Sequence, residues 1–132
     1  MKKIVLTIIS VMLAASAAFA QDVIGKWKLD DGTAIVEVYK NGDAYNGKIV
    51  WLEEPTDADG TPAKDNNNPD PALRTRELIG LNMLSGLKKT ADNEYSGGKI
   101  YDPGNGKTYN CSMKVEGNVL KVRGSLDKRG LI

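Results

Sequence analysis

The stretch SGGKIYDPGNGKTYNCSMKVEGNVLKVRGSL, residues 96–126, decides the fold class of this chain. It contains three short segments with the β-branched, aromatic and alternating apolar residues of half-buried strands. The turn sequences PGNG at 103–106 and EGN at 116–118 separate these segments, and each is short enough for a hairpin. The stretch therefore predicts three consecutive antiparallel strands.

The same pattern fills the chain from residue 25 onward. Residues 25–30, 33–40 and 44–52 are predicted to form three further strands, separated by Asp-Gly and Asn-Gly turn sequences. In the third strand, alternation places Tyr45 and Trp51 on one inward face. Short strands with turns about every 8–12 residues predict an all-β antiparallel barrel or sandwich in meander order.

Residues 53–72 interrupt this pattern with one long loop. They hold four of the five prolines, several acidic residues and three consecutive asparagines, and they show no apolar periodicity. Loops longer than about 12–15 residues inside a compact domain are uncommon and are often functional. The residues that follow, 73–87, are rich in leucine but carry two glycines, so a bent strand and a short helix fit them equally well.

The N-terminus predicts a secretory signal peptide over residues 1–20. Lys2 and Lys3 precede an apolar run that ends in Ala18-Phe19-Ala20, a small-x-small cleavage site. An uncleaved membrane anchor is the alternative, because the run is near the lower limit of membrane-spanning length. Cleavage leaves a single domain, residues 21–132, with no membrane span, located in the periplasm or secreted.

Composition excludes several classes of function. Lys and Arg number 18 against 17 Asp and Glu, so no overall charge favours nucleic acid or an anionic membrane surface. The chain has no histidine, which excludes serine-histidine and cysteine-histidine catalysis and histidine metal sites. Its single cysteine, Cys111, is expected to pack in the core rather than to react. We predict no cofactor and no enzymatic activity.

A hypothetical ligand site draws on aromatic and arginine residues. Inward aromatic side chains of a small barrel could line a pocket, or they could simply form the core. The two arginines after the loop would share a face on a strand. They could clamp a carboxylate or phosphate group, or pair with the nearby loop carboxylates. The candidate ligand-binding residues are Trp27, Tyr45, Trp51, Arg74, Arg76, Tyr101 and Tyr109.

The acidic loop offers a weaker alternative, a Ca²⁺ site at Asp57, Asp59 and Asp65. Ca²⁺ takes about six to eight oxygen ligands, which these carboxylates and the neighbouring asparagines could supply. The spacing departs from the EF-hand pattern, because Gly60 stands at the fourth position of the run and not at the sixth. Asp, Asn and Pro also dominate ordinary turns, so we expect turn chemistry and no metal.

Three motifs together resemble one protein family. They are Gly25-Lys26-Trp27-Lys28, Asp65-Asn66-Asn67-Asn68-Pro69-Asp70-Pro71 and Gly97-Gly98-Lys99-Ile100-Tyr101-Asp102-Pro103. From about Val23 to Leu126 the chain resembles the bacterial exported family called domain of unknown function 2147. The resemblance implies a lipocalin-like β-barrel in the bacterial envelope and no established activity. Members usually continue into a closing strand that this chain lacks, so the barrel is expected to be incomplete at its C-terminus.

These observations predict an uncharacterised exported envelope protein that binds a small apolar or amphipathic molecule without catalysis. The alternative is a protein-interaction module that contacts an envelope protein through an open sheet edge or through the loop 53–72. Strand addition to an open edge is an established mode of such recognition. Nucleic acid is not an expected partner in either case.

Overall fold

Eight strands and a short 3-10 helix form the part of the chain that the computed structural model describes, residues 10–15 and 22–125. The predicted cleavage site at 18–20 and the predicted strand residue Leu126 lie outside the described residues. The 3-10 helix spans Pro71–Leu73. The strands are β1 Ser10–Ala15, β2 Gly25–Leu29, β3 Ala34–Asn41, β4 Ala44–Leu52, β5 Asn82–Ala91, β6 Glu94–Asp102, β7 Lys107–Glu116 and β8 Val119–Ser125.

The meander confirms the predicted all-β antiparallel architecture with one long loop. Each predicted hairpin is present, from the β2–β3 pair to the β7–β8 pair. The leucine-rich segment 73–87, for which the sequence favoured neither alternative, becomes strand from Asn82 onward. It is a strand because it pairs with β4 on one side and β6 on the other, while Met83 and Leu87 join the core.

Antiparallel order decides which connections meet at each end of the barrel, since alternate connections lie on the same side. The loop end carries the β2–β3, β4–β5 and β6–β7 connections, and the turn end carries the β3–β4, β5–β6 and β7–β8 turns. Backbone hydrogen bonds join neighbours at each end. Glu53 N donates to Thr33 O (2.9 Å) at the loop end, and Val115 N donates to Asn93 O (2.8 Å) at the turn end.

The barrel closes through a seam, defined here as the space between β2 and β8. β1 fills the seam and pairs antiparallel with both strands. Without β1, the seven strands from Gly25 to Ser125 form an open half-barrel, in agreement with the expected incompleteness at the C-terminus. The place of a closing strand is therefore taken by residues 10–15, which belong to the predicted signal peptide.

Inward side chains of β2–β8 form one continuous core. Trp27, Ile49 and Ile100 are almost completely buried, and removal of such a side chain from water contributes about 1.5–3 kcal/mol. The indole Nε1 of Trp27 donates to the carbonyl oxygen of Val23 at 2.8 Å, so its polar atom is satisfied. Cys111 is buried as predicted. Burial raises the pKa of its thiol to about 12, and the sulfur stays protonated.

The predicted inward orientation of Trp51 is wrong. Ile35 of β3 pairs with Trp51, but the next residue, Val36, pairs with Ile49. Val50 is therefore an extra residue, a β-bulge that reverses the alternation of the side chains beyond it. Ile49 stays buried, whereas Trp51 faces outward and is 40% exposed.

Candidate functional site

A fully buried carboxylate organises the loop end. Asp65 has no exposed surface, yet its two oxygens accept three hydrogen bonds from side chains. Tyr101 Oη donates to Oδ1 at 2.6 Å, and Asn68 Nδ2 donates to Oδ2 at 2.8 Å. Arg76 Nε donates to the same Oδ2 at 2.9 Å as an ion pair. These partners offset the cost of removing the charge from water. We call Asp65, Asn68, Arg76 and Tyr101 the loop cluster.

Local backbone pairing brings the members of the loop cluster together. Isolated bridges join Thr56 to Pro62 and Lys64 to Glu77, so the loop doubles back on itself twice. Asp65 N also donates to the carbonyl oxygen of Arg76 at 2.9 Å, which places the two side chains of the ion pair next to each other. The region predicted as one irregular loop is therefore a folded unit.

Tyr101 belongs to the loop cluster and not to the barrel interior. It lies between two buried residues of β6, Ile100 and Asp102, and so points to the opposite face, where the loop covers it. Burial, and then the hydrogen bond to Asp65, raise the pKa of Tyr101 to about 12. The guanidinium carbon of Arg76 lies 5.7 Å from the centre of the Tyr101 ring, within the range of cation–π attraction.

A second contact fastens the loop to the β6–β7 turn. Asn67 Nδ2 donates to the carbonyl oxygens of Pro103 (3.0 Å) and Gly104 (3.2 Å). Gly106 has a φ of +73°, and a Cβ on it would lie 2.0 Å from the carbonyl oxygen of Asn67. Only glycine permits this approach. The asparagine-proline motif and the Tyr-Asp-Pro motif, two of those that carry the family resemblance, thus form one structural unit.

The two predicted arginines have different partners. Arg76 pairs with Asp65, as the alternative of pairing with loop carboxylates expected. Arg74 Nε instead donates to the backbone carbonyl of Asn68 at 2.7 Å. Arg74 is the C-cap of the 3-10 helix Pro71–Leu73, and Arg76 precedes β5. Neither lies on a strand, so the condition for a shared strand face is not met.

The three aspartates of the weak metal alternative do not assemble. Hydrogen bonds from Asn66 and Lys64 to Asp57, and from Thr61 to Asp59, lower the pKa values of both carboxyl groups. These are turn contacts of the kind expected. In residues 10–15 and 22–125, no group of three or more Cys, Asp or Glu side chains is arranged to hold a metal ion.

The remaining predicted ligand residues are divided between the core and the outer surface. Trp27 and Tyr109 are core residues, and the Tyr109 hydroxyl accepts a hydrogen bond from Asn105 Nδ2 at 3.0 Å. Tyr45 lies toward the turn end, where its ring meets the ring of Tyr95 edge-on at 5.0 Å. The structure thus brings together Arg76 and Tyr101, with Arg74 beside them, and leaves the other aromatic residues as core or surface.

A groove of about 740 Å³ runs beside the loop cluster, lined by residues 75–77 and 79–82. The side chain of Arg76 is 38% exposed here, while its Nε is held by Asp65. Ile79, 43% exposed, supplies an apolar wall. Asn82, at the other side, accepts a hydrogen bond from the Tyr39 hydroxyl at 2.6 Å. The groove therefore combines a positioned cation, the carboxylate of Glu77, an apolar surface and the amide of Asn82.

Sequence reasoning missed Ile79 and Asn82 as groove residues, and it missed Asn68 as a partner of Asp65. Asn68 lies inside the asparagine-proline motif, so a signal for it was present. The role of Asn68 becomes clear only once Tyr101, which is 36 residues from Asp65 in sequence, is seen to donate to the same carboxylate. For Ile79, no local pattern distinguishes an exposed isoleucine from a buried one.

The described part of the chain contains no helix that is both long enough and apolar enough to span a membrane.

A family model described as "Uncharacterized protein conserved in bacteria (DUF2147)" matches residues 25–132. Among solved structures, the chain is similar to protein HP1028 from Helicobacter pylori, which is described as belonging to the lipocalin family. The two share 25% identity with a TM-score of 0.66, over 97% of this chain and 78% of that one. No curated protein matches the chain significantly.

Proposed function

Because the chain belongs to the bacterial family DUF2147 and has a lipocalin-like fold, we propose that it is an exported, noncatalytic binder of a small, partly apolar molecule. The observation that carries this proposal is the groove beside the loop cluster. Among the candidate ligand residues, Arg76 is the one that lines a described cavity together with apolar side chains.

The groove suits a molecule with one polar or anionic group and an apolar part. Asp65 holds Arg76 by Nε, so the guanidinium is oriented before any ligand arrives, and preorganisation lowers the cost of binding. The partly exposed guanidinium would contact a carboxylate or phosphate, which it matches with paired donors. The exposed side chain of Ile79 would contact the apolar part.

The reactive groups near the core support binding over catalysis. The Tyr101 hydroxyl and the Cys111 thiol both have pKa values of about 12, so neither supplies a base or a nucleophile near neutral pH. Asp65 is occupied by three donors within the protein. Each of these groups has a structural role that explains its environment.

Export is the second part of the proposal. Residues 1–20 would act as a signal peptide, and the domain from residue 21 would work in the periplasm or outside the cell. The charged start and the small-x-small site support this part. A single buried cysteine suits an oxidising compartment, because it has no partner for a wrong disulfide.

Mass spectrometry of the protein recovered from its own host tests the proposal. Under denaturing conditions we expect a chain that begins at Gln21. Under native conditions we expect an adduct, which Ile79→Asp removes. Ile24→Asp is the matched control, because Ile24 is also an exposed isoleucine (47%) and does not line the groove. An adduct equally lost, or equally kept, in both variants would contradict a ligand in the groove.

A further inference from the structure

Charge is distributed unevenly along the described chain. Residues 22–81 contain seven Lys and Arg against twelve Asp and Glu, whereas residues 82–125 contain seven against four. The neighbouring strands β5–β8 all belong to the second of these segments, so they form the positive side of the barrel. A positive surface attracts anions and raises their local concentration.

A concave pocket of about 350 Å³ lies on this positive side, toward the turn end of β6, β7 and β8. Its charged and hydroxyl side chains on these strands alternate with buried residues, so they lie on the outer face of the barrel. Three cations, two serine hydroxyls and one acid contribute to this lining: Lys114, Lys121, Arg123, Ser96, Ser112 and Glu94. We call this concavity the outer pocket.

Two lysines of the outer pocket lie directly opposite each other. Lys114 of β7 pairs with Lys121 of β8, and like charges in this position are destabilising. The carboxylate of Glu116 lies 3.8 Å from Lys114 Nζ and 3.1 Å from Lys121 Nζ, and Glu94 of β6 lies opposite Lys114. Two carboxylates therefore border two lysines, and this part of the pocket is close to neutral.

Arg123 supplies the excess positive charge of the outer pocket. Within residues 10–15 and 22–125, its side chain has no ion-pair partner. The residue opposite it on β7 is Ser112, and not an acid. The planar guanidinium presents several donors that match the oxygens of a phosphate in pairs.

A β-bulge in β6 adds a second hydroxyl beside Arg123. Ser96 and Gly97 of β6 both lie opposite the single residue Ser112 of β7, and Gly97 has a φ of +76°. Bulges re-aim side chains and are frequent next to functional sites. Here Ser96 and Ser112 line the same pocket, where their hydroxyls can donate to an acceptor.

We propose that the outer pocket binds the phosphate group of a small phosphorylated molecule. A phosphate monoester carries about −1.5 to −2 charge near neutral pH and three strong acceptor oxygens. Arg123 would bind two of these oxygens, and Ser96 and Ser112 would donate to the phosphate from β6 and β7. The inference is independent of the groove and of export. It is also independent of what fills the seam, because every residue it uses lies on β6, β7 or β8.

A soluble phosphate ester fits the outer pocket better than a membrane surface does. Stable attachment of a protein surface to a membrane combines buried apolar area with attraction to anionic lipids. The large apolar side chains that are exposed in the described residues are Ile24, Trp51, Leu73 and Ile79. All four lie outside β5–β8, so none of them can insert into a bilayer beside the pocket.

An NMR titration of the ¹⁵N-labelled protein with glycerol 3-phosphate tests the proposal. Glycerol at the same concentrations and ionic strength is the control probe, because it lacks only the phosphate. We expect saturable shifts of the amide signals of Ser96, Ser112 and Arg123 with the ester and none with glycerol. Shifts that do not saturate, or that glycerol also causes, would overturn the proposal.

Two charge variants separate the outer pocket from the general charge of this side. Arg123→Gln should weaken the binding of glycerol 3-phosphate at least about tenfold, because it removes the charged donors. Lys107→Gln removes the same charge from an exposed residue of β7 that does not line the pocket, and it should change the affinity less than about twofold. Equal weakening by both variants would mean that only net charge matters, and the proposal would fail.

A pair of serine variants tests the hydroxyl contacts. Ser112→Ala should weaken binding about threefold or more, because the phosphate loses a donor. Ser85→Ala is the matched control, because Ser85 is also a partly buried strand serine but lies outside the pocket. Equal affinities of the two variants would contradict the phosphate position proposed between β6 and β8.

Two further measurements identify the source of the phosphate and separate this site from the groove. Sedimentation with phosphatidylglycerol vesicles should leave the protein in solution. Vesicle binding that Arg123→Gln abolishes, without binding of glycerol 3-phosphate, would make the pocket a lipid headgroup site and the small molecule wrong. The groove variant Ile79→Asp should bind glycerol 3-phosphate as the parent does, and loss of binding there would contradict a separate site.

Discussion

The loop end and the turn end of the barrel are held together by different kinds of interaction. At the turn end, two-residue turns join the strands and the rings of Tyr45 and Tyr95 pack edge-on. At the loop end, the buried carboxylate of Asp65 holds residues from two distant parts of the chain. An apolar contact that is changed can repack, whereas a buried charge that loses its partners cannot return to water. The comparison teaches that substitutions at the loop end should lower the stability of the protein more than substitutions at the turn end, although the loop end contains the least regular structure.

The largest expected effect comes from Asp65→Ala. Removal of the carboxylate leaves the Asn68 amide and the Tyr101 hydroxyl without their acceptor and Arg76 without its ion pair. It should lower the free energy of unfolding by about 2–5 kcal/mol, because each donor left buried without an acceptor costs about 1–3 kcal/mol. Asp43→Ala is the counterpart at the turn end, where Asp43 is exposed and 3.8 Å from Lys88. Its expected effect is below about 1 kcal/mol. Urea denaturation followed by circular dichroism measures both, and similar losses would remove the distinction between the ends.

Tyr101→Phe should have the next largest effect. It deletes the hydroxyl that donates to Asp65, and loss of a hydrogen bond to a charged group costs about 1.5–3 kcal/mol. Tyr45→Phe makes the same chemical change on a partly buried tyrosine toward the turn end and should change stability by less than about 0.5 kcal/mol. The same denaturation measurement applies, and a Tyr101→Phe protein as stable as the parent would show that the loop cluster contributes little.

Gly106→Ala and Gly117→Ala compare a glycine at each end. Both have positive φ, +73° and +62°, so both substitutions carry the strain of a left-handed residue. A Cβ at Gly117 meets open space, but one at Gly106 meets the Asn67 carbonyl. Gly106→Ala should therefore cost about 1–2 kcal/mol more. Hydrogen exchange should show faster exchange in residues 63–76 of that variant alone, and unchanged exchange there would contradict the fastening role of the contact.

The smallest expected effect is a loss of folding stability at alkaline pH. The pKa of Tyr101 is about 12 in the folded protein, against an ordinary value of 10.0. Because the folded value is the higher one, the phenol contributes stability that is complete below pH 10 and is lost as the pH rises toward 12. Urea midpoints measured across this range should fall less steeply for Tyr101→Phe than for the parent. Parallel curves for the two proteins would contradict the raised pKa.

Alternation and turn sequences were sufficient to predict the antiparallel meander, because each strand depends on its own residues and on a neighbour nearby in sequence. Trp51 was misplaced because a bulge is a property of the pair β3–β4 and leaves no mark in β4 alone. The pairing of Arg76 with a loop carboxylate was anticipated as an alternative. Which carboxylate it would be was not predictable, because Asp65 can be buried only where Tyr101 and Asn68 also donate hydrogen bonds to it. The seam was anticipated only as an open edge, since its occupant comes from the opposite end of the chain.

The bulge in β4 has a consequence for spectroscopy. The chain has two tryptophans, and because of the bulge they differ in solvent exposure. Trp27 is 1% exposed and borders the seam, whereas Trp51 is 40% exposed on the outer surface. Iodide should quench the emission of Trp51 and spare that of Trp27 while the seam is filled. When the seam empties, Trp27 should shift to longer wavelength and become open to quenching, with Trp51 unchanged as an internal reference. The protein thus carries its own fluorescent indicator of whether the barrel is closed.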